Sequence, residues 1–362
     1  MYWLIISLFL FCVAVIYRPV AVTDLWGYLL YGDWMLKNGQ IVYRDFYSYT
    51  ATGARWINHE WLFQVVTAYL FNIGGFYLLS LILLGFVSVL VACLLYRQLV
   101  EGNFGLYGII GGMLTVLSVQ PGLVLRPQLV TYLFLILILF IFTRSKAGRS
   151  YWWVLPLLFL LWVNIHGAFV IGLGYLLAFS PLVLISQNGT QARISYGFCV
   201  LGCVLASFFN PYTYELWEMV IRTMTNPLTS RIIDEWQPVW EDPNRLLLWS
   251  GLTGLFMAWY MFKEEQEHRV LWAVPVLFAT VVSLTSKRHV PVYGIMVGMI
   301  CTMDRPRLLS KKIFKPGTVL KASLIVVCVI STTLIAGTFL RGFQSPPHYP
   351  YPEKALWPLR ES

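Results

Sequence analysis

Charge is what this chain has least of. Only 12% of its 362 residues are Asp, Glu, Lys or Arg, where a soluble domain of this size carries about 25%. That scarcity argues against an ordinary water-soluble fold. Cysteine is sparse as well. The six present (Cys12, Cys93, Cys199, Cys203, Cys301 and Cys328) all fall inside apolar runs. Paired spacings in loops are missing, and with them the pattern of a disulfide framework or a zinc site. Cys199 and Cys203 share a helix face, but in apolar sequence they read as small hydrophobes. There is no internal repeat and no low-complexity segment. Despite a net charge of +9 there is no long basic run, which argues against a nucleic-acid partner. The stretch 2–17 has neither a basic leader nor a small-residue cleavage site, so it reads as a retained first helix.

What the chain does have is hydrophobic sequence, 58% of all residues, with a mean hydropathy of +0.68. About 20 apolar residues cross a bilayer core of roughly 30 Å. On that measure the chain divides into eleven crossings, near 2–17, 76–96, 104–120, 128–143, 151–165, 167–185, 194–209, 246–262, 270–285, 290–303 and 319–340. One set of intervening loops is short and basic: Arg97; Arg144, Lys146 and Arg149; Arg193; Lys263 to Arg269; and Arg305 to Lys315. The density of Lys and Arg in short loops marks the cytoplasmic side. The long loops 18–75 and 210–245, with the proline-rich tail 346–362, are then expected outside the cell (inner) membrane. Arg18 alone votes the other way.

With the crossings so counted, seven polar motifs emerge on one side. They are TDLW at 23–26, NHEW at 58–61, RPQ at 126–128, NIHG at 164–167, NPY at 210–212, IDEW at 233–236 and KRHVP at 287–291. In the first long loop Thr23 is expected to cap a helix from Asp24 to Asn38, stopped by Gly39. Its Trp26, Tyr28, Tyr31 and Trp34 suit a headgroup boundary. A second helix is expected from Asn58 to the Gly74-Gly75 break, with Glu60 in its electropositive first turn. In the second long loop Asn210-Pro211 predicts a helix start. Both loops read as interfacial helices.

Several residues invite a chemical role, each beside a structural one. Asp24 is either a helix N-terminal carboxylate or a general base at the membrane surface. Asp33 is expected to face water, and Asp45 to cap the turn before Phe46. His59 and Glu60 are adjacent, so on a helix they point about 100° apart. They lack the i, i+4 spacing of a metal pair. No cofactor is certain, though a divalent metal stays open. Arg126, between Pro121 and Pro127, either snorkels or holds a phosphate in its planar fork. Lys287, Arg288 and His289 make a second cationic spot. Asn164 and His166 are either an interhelical hydrogen bond or a functional pair at membrane depth. Asp234 and Glu235, with Trp236, form either a far wall of the site or a solvated acidic loop.

These motifs in this order resemble a large group of bacterial membrane proteins with the GT-C glycosyltransferase fold. The group is distantly related to protein mannosyltransferases and aminoarabinose transferases. DLWGYLLYGDWMLKNGQIVYRDFYSYTATGARWINHEWL carries most of the likeness, with RPQLVTYLF, WVNIHGAFVIGL, NPY, IDEW and the R-x-V-P from Arg288 to Pro291. The resemblance implies an all-α, GT-C-like bundle over residues 1–345 with interfacial helices in the first and fourth outer loops. It implies a polyprenyl-phosphate-linked sugar as donor, an unidentified extracytoplasmic acceptor, and the essential acidic role on Asp24. Arg126, Arg288 and Lys287 would bind the donor phosphate, while His59 and Glu60 shape the site. Two departures stand out. Asp24 is followed by Leu25 where mannosyltransferase-type members have Asp-Glu, and no DxD motif occurs. Many members carry a soluble outer domain after the last helix, so the tail reads as the start of one in a short or truncated form. A transporter or lipid flippase, or an inactive scaffold of the same fold, is the alternative.

Overall fold

The computed structural model describes residues 23–100, 118–119, 122–144, 151–186, 190–241 and 269–303. Among these the chain is all-α. The one β feature is an isolated antiparallel bridge between Arg44 and Arg55. The expected crossings at 2–17, 246–262 and 319–340, nearly all of 104–120, and the tail 346–362 lie outside the described residues.

Ten helices follow one another among the described residues: α1 Thr23–Asn38, α2 Trp61–Val100, α3 Gln128–Arg144, α4 Val154–Ile165, α5 Phe169–Ser186, α6 Thr190–Ala206, α7 Tyr214–Thr225, α8 Pro227–Ile232, α9 Arg269–Thr285 and α10 Val290–Met303. Three 3₁₀ turns, Asp234–Trp236, Val239–Glu241 and Lys287–His289, join them. Among the described residues only Trp61–Leu90 is both long and apolar enough to cross a membrane; the other apolar helices there are shorter.

α1 ends as its sequence predicts. Gly39 has φ 62°, and its N–H bonds back to Met35 O at 2.9 Å. α1 lies against the start of α2, and Gly32 is what lets it in. A Cβ there would stand 2.1 Å from Gln64 O. The break expected at Gly74-Gly75 is a kink inside one long helix. Gly75 has φ 58° and ψ −153°, a conformation open to glycine and costly to any other residue.

Four local expectations are corrected. α2 starts at Trp61, three residues later than Asn58, because residues 58–60 form a turn whose Asn58 side chain donates to Gln64 Oε1 at 2.7 Å. α7 starts at Tyr214, because Asn210 Oδ1 accepts from Tyr212 N at 2.9 Å and closes a turn over Pro211. Asp33 does not face water. It is buried, accepts from Asn72 at 3.1 Å and pairs with Lys37 at 3.3 Å. Of the four α1 aromatics, Tyr28 and Tyr31 are buried. Tyr28 packs edge-on against Phe63, while Tyr31 contacts Phe46, Tyr47 and Trp56. The first long loop folds around these rings.

Asp45 does cap its turn. Its Oδ1 accepts from Tyr47 N at 2.8 Å and Ser48 N at 2.9 Å. The Ser48 hydroxyl and these amides hold its carboxyl down near pKa 2. The two long loops also bind each other. Tyr212 donates to Val42 O at 2.5 Å, Tyr43 to Pro211 O at 3.5 Å, and Arg55 pairs with Glu215.

The core runs through α2, α3, α4, α5 and α10, with Phe159, Trp162, Tyr175, Phe179 and Tyr293 fully enclosed. The outward faces are apolar too. Leu157, Leu160 and Leu161 on α4, Leu177 and Leu184 on α5, and Phe198, Leu201 and Leu205 on α6 are all exposed.

Candidate active site

Four of the seven polar motifs, spread over more than 260 residues of sequence, are joined by ion pairs at helix ends. Arg126 is the hub. Its guanidinium meets Asp24 Oδ2 at 2.8 Å through Nη2 and Glu235 Oε2 at 3.1 Å through Nη1. Glu235 Oε1 then reaches Arg288 at 3.8 Å. Four distant segments thus meet in one chain: Asp24, Arg126, Glu235, Arg288.

Each is positioned by its own local structure. Asp24 sits in the first turn of α1. Arg126 precedes Pro127 and α3, in a turn where Leu129 N bonds to Arg126 O at 3.1 Å. Glu235 is in the middle of the Asp234–Trp236 turn. Ser286 Oγ donates to Glu235 O at 3.0 Å, and Lys287 N to Gln237 O at 3.0 Å. Those bonds tie this turn to the one carrying Arg288. Arg288 lies 4.4 Å above the Trp236 ring, a cation–π contact that fixes the indole. Lys287 is drawn aside, to Asp234 at 2.9 Å and Gln237 Oε1 at 3.0 Å.

The two cationic spots are therefore not bare. Each is matched by a carboxylate. The carboxylate side chains stay open, Asp24 at 42% and Glu235 at 40% exposure, while Arg126 at 22% and Arg288 at 18% are more enclosed. Burial alone would lower the Arg126 pKa, but the flanking Asp24 and Glu235 outweigh it and hold the charge more firmly. Arg126 Nε remains enclosed without a hydrogen-bond partner, as does Gln128 Oε1 two residues on.

His59 and Glu60 converge, contrary to the 100° separation expected of helical neighbours. They sit in the turn before α2, and His59 Nε2 is 3.4 Å from Glu60 Oε1. Burial would push the Glu60 carboxyl up. His59, and beyond it Arg288, outweigh that and keep it below the usual carboxylate range. His59 also comes close to Gly167, where a Cβ would stand 3.3 Å from its ring.

Asn164 and His166 divide between their two readings. Asn164 is satisfied by structure: it accepts from Trp61 Nε1 at 2.9 Å and donates to Leu160 O and Phe209 O, each at 2.9 Å. That ties α2, α4 and the end of α6 together. His166 is held through a partner absent from the candidate list. Thr131 Oγ1 lies 2.9 Å from His166 Nδ1 and accepts from Trp162 Nε1 at 2.9 Å. With Trp162 as donor, the Thr131 hydroxyl still has its proton and one lone pair for Nδ1, so the contact accommodates either imidazole tautomer. Burial pushes the His166 pKa down to about 3, so the ring is neutral. The sequence signal for Thr131 is a hydroxyl one turn past Arg126-Pro127 in an otherwise apolar helix.

No group of three His, Cys, Asp or Glu among the described residues is placed to hold a metal ion. Chemically, the arrangement offers exposed carboxylates beside fixed guanidinium groups, bordered by an ionised glutamate and two imidazoles. No protein-family model, curated protein or solved structure matches the chain.

Proposed function

We propose that the chain is a polytopic protein of the cell membrane with a GT-C-like bundle of about eleven crossings. In this reading it is a glycosyltransferase that moves a sugar from a polyprenyl-phosphate donor to an acceptor on the extracytoplasmic side. The meeting of Asp24, Arg126, Glu235 and Arg288 carries the reading, because it sets a carboxylate base beside two phosphate ligands. The outward leucine and phenylalanine faces of α4, α5 and α6 support the membrane setting, since apolar patches of that extent are unfavourable against water.

The donor phosphate takes carboxylate positions on the two guanidinium groups, which match phosphate oxygens in pairs. Asp24, released from Arg126, accepts the proton of the acceptor hydroxyl. The acceptor oxygen bonds to the anomeric carbon as the bond from that carbon to the phosphate oxygen breaks. The electron pair leaves with the polyprenyl phosphate, where Arg126 and Arg288 stabilise the growing charge. Glu60, ionised beside His59, positions the turn that borders the site. A transporter would instead place its ionisable groups at mid-membrane depth, and this network lies on loops and helix ends.

Lipid extracts of a deletion strain test the proposal. A polyprenyl-phosphate sugar should accumulate and disappear on complementation with the wild-type gene. An unchanged lipid-linked sugar pool would contradict it.

A further inference from the structure

A groove of about 230 Å³ lies behind the ion-pair chain, the space of about eight waters and so of one sugar ring. Its walls come from the end of α7, from α8, from Trp236 and Pro238, and from Thr285, Ser286 and His289. Glu235 and Arg288 are the sequence neighbours of two wall residues, Trp236 and His289, so the groove backs directly onto the candidate active site.

The wall has an unusual hydrogen-bonding character. Six hydroxyl side chains line it, and five of them already donate their protons to backbone carbonyls: Thr223 to Met219, Thr225 to Ile221, Ser230 to Pro227, Thr285 to Val282 and Ser286 to Glu235. What these groups still offer is lone pairs. His289 adds another acceptor. Its Nδ1 has no hydrogen-bond partner and is closed to water, and burial pushes its pKa down to about 3, so the ring is neutral. His289 itself lines the groove. Against these acceptors stand the Thr229 hydroxyl and the N–H groups of Asn226 and Trp236. No carboxylate lines the groove, and Arg288 beside it disfavours a cationic guest. The indole of Trp236, held by Arg288 at 4.4 Å, supplies an apolar surface of the kind the C–H face of a sugar ring packs against.

We infer that this groove is a subsite for a neutral, hydroxyl-bearing sugar ring, which donates to the acceptor-lined wall and packs on Trp236. Its role in transfer rests on the glycosyltransferase reading, but its binding does not. The ring belongs either to the donor or to the acceptor.

Saturation-transfer NMR on the purified full chain in detergent, with methyl hexosides as probes, tests the subsite. The wild type should transfer saturation to the ring protons at millimolar probe. Ser230→Phe, which fills the groove, and His289→Phe, which keeps the ring but removes the acceptor, should each reduce the signal several-fold. Their thermal midpoints should stay near wild type; if either variant unfolds, Thr285→Val serves in its place. Asp24→Asn should keep the full signal, so loss of transfer and loss of sugar binding are separable. A hexose 1-phosphate that binds at least tenfold tighter than the methyl hexoside, with the gain lost in Arg126→Ala, assigns the ring to the donor. Equal binding of the two assigns it to the acceptor. No signal in the wild type, equal signals in wild type and Ser230→Phe, or tighter binding of an amino sugar would overturn the inference.

Discussion

Arg126 is the residue on which the others depend. Its two terminal nitrogens serve different carboxylates, Asp24 at 2.8 Å and Glu235 at 3.1 Å. A lysine reaches one partner but has no fork. Arg126→Ala should therefore abolish donor binding and release both loops, while Arg126→Lys should bind donor detectably but more weakly. Titration with a polyprenyl-phosphate analogue checks both, and wild-type affinity in Arg126→Ala would remove the residue from the site. The buried imidazoles make a second, pH-dependent prediction. His166 and His289 have pKa values near 3, below the ordinary 6.5. Between those values the unfolded chain binds protons that the folded chain does not, so stability falls as pH is lowered from about 6.5 toward 3. Asp45, held near 2 from an ordinary 3.8, adds a further loss as pH falls from about 3.8 toward 2. The thermal midpoint in detergent should fall steadily from pH 6.5 to 4, and His166→Gln should flatten part of the slope. A midpoint constant across that range would contradict the burial of both rings. All ten site candidates were legible as residue types in apolar sequence. Their pairing was not, because Asp24 and Glu235 lie more than 200 residues apart and only the fold makes them share an arginine.

At the level of elements, sequence punctuation was a good guide where glycine decided the backbone. Gly39 ends α1 and Gly75 breaks α2 as their positions predict. Polar caps were a poorer guide. Asn58 and Asn210 use their side chains in turns that delay α2 and α7 by three residues each, and one consequence is that His59 meets Glu60. Tyr28 and Tyr31 of α1 were misplaced for a different reason. Amphipathic rings suit a headgroup boundary, but here Phe46, Trp56 and Phe63 fold over Tyr28 and Tyr31 and remove them from any interface. Gly75 supplies the test at this scale. A Cβ there meets nothing within 4 Å, so Gly75→Ala reads backbone strain alone. It should destabilise the protein by about 1–3 kcal/mol, measured by thermal or denaturant unfolding. A cost below about 0.5 kcal/mol would mean that the kink is not held by the fold.

For the molecule as a whole, the account depends on orientation. The motifs sit at helix ends, and in the proposed topology the short basic loops put that side outside the cytoplasm. Cysteine labelling of intact cells tests this. Asp234, with its side chain 84% exposed, and Tyr49, fully exposed, should react as cysteines with an impermeant reagent. A cysteine replacing Lys311 should stay protected until the membrane is opened, and the reverse pattern would invert the topology. The central claim, that Asp24 is the base of a transfer reaction, is met most directly by Asp24→Asn. Asn keeps the shape and helix-capping ability of the carboxylate but cannot take the acceptor's proton, and the lost ion pair is too exposed to unfold the protein. The measurement is the rate at which membranes carrying the variant clear the lipid-linked sugar accumulated in a deletion strain. The account predicts a fall of roughly 10²–10⁴-fold at unchanged protein level and thermal midpoint. Clearance within a few-fold of wild type would contradict it.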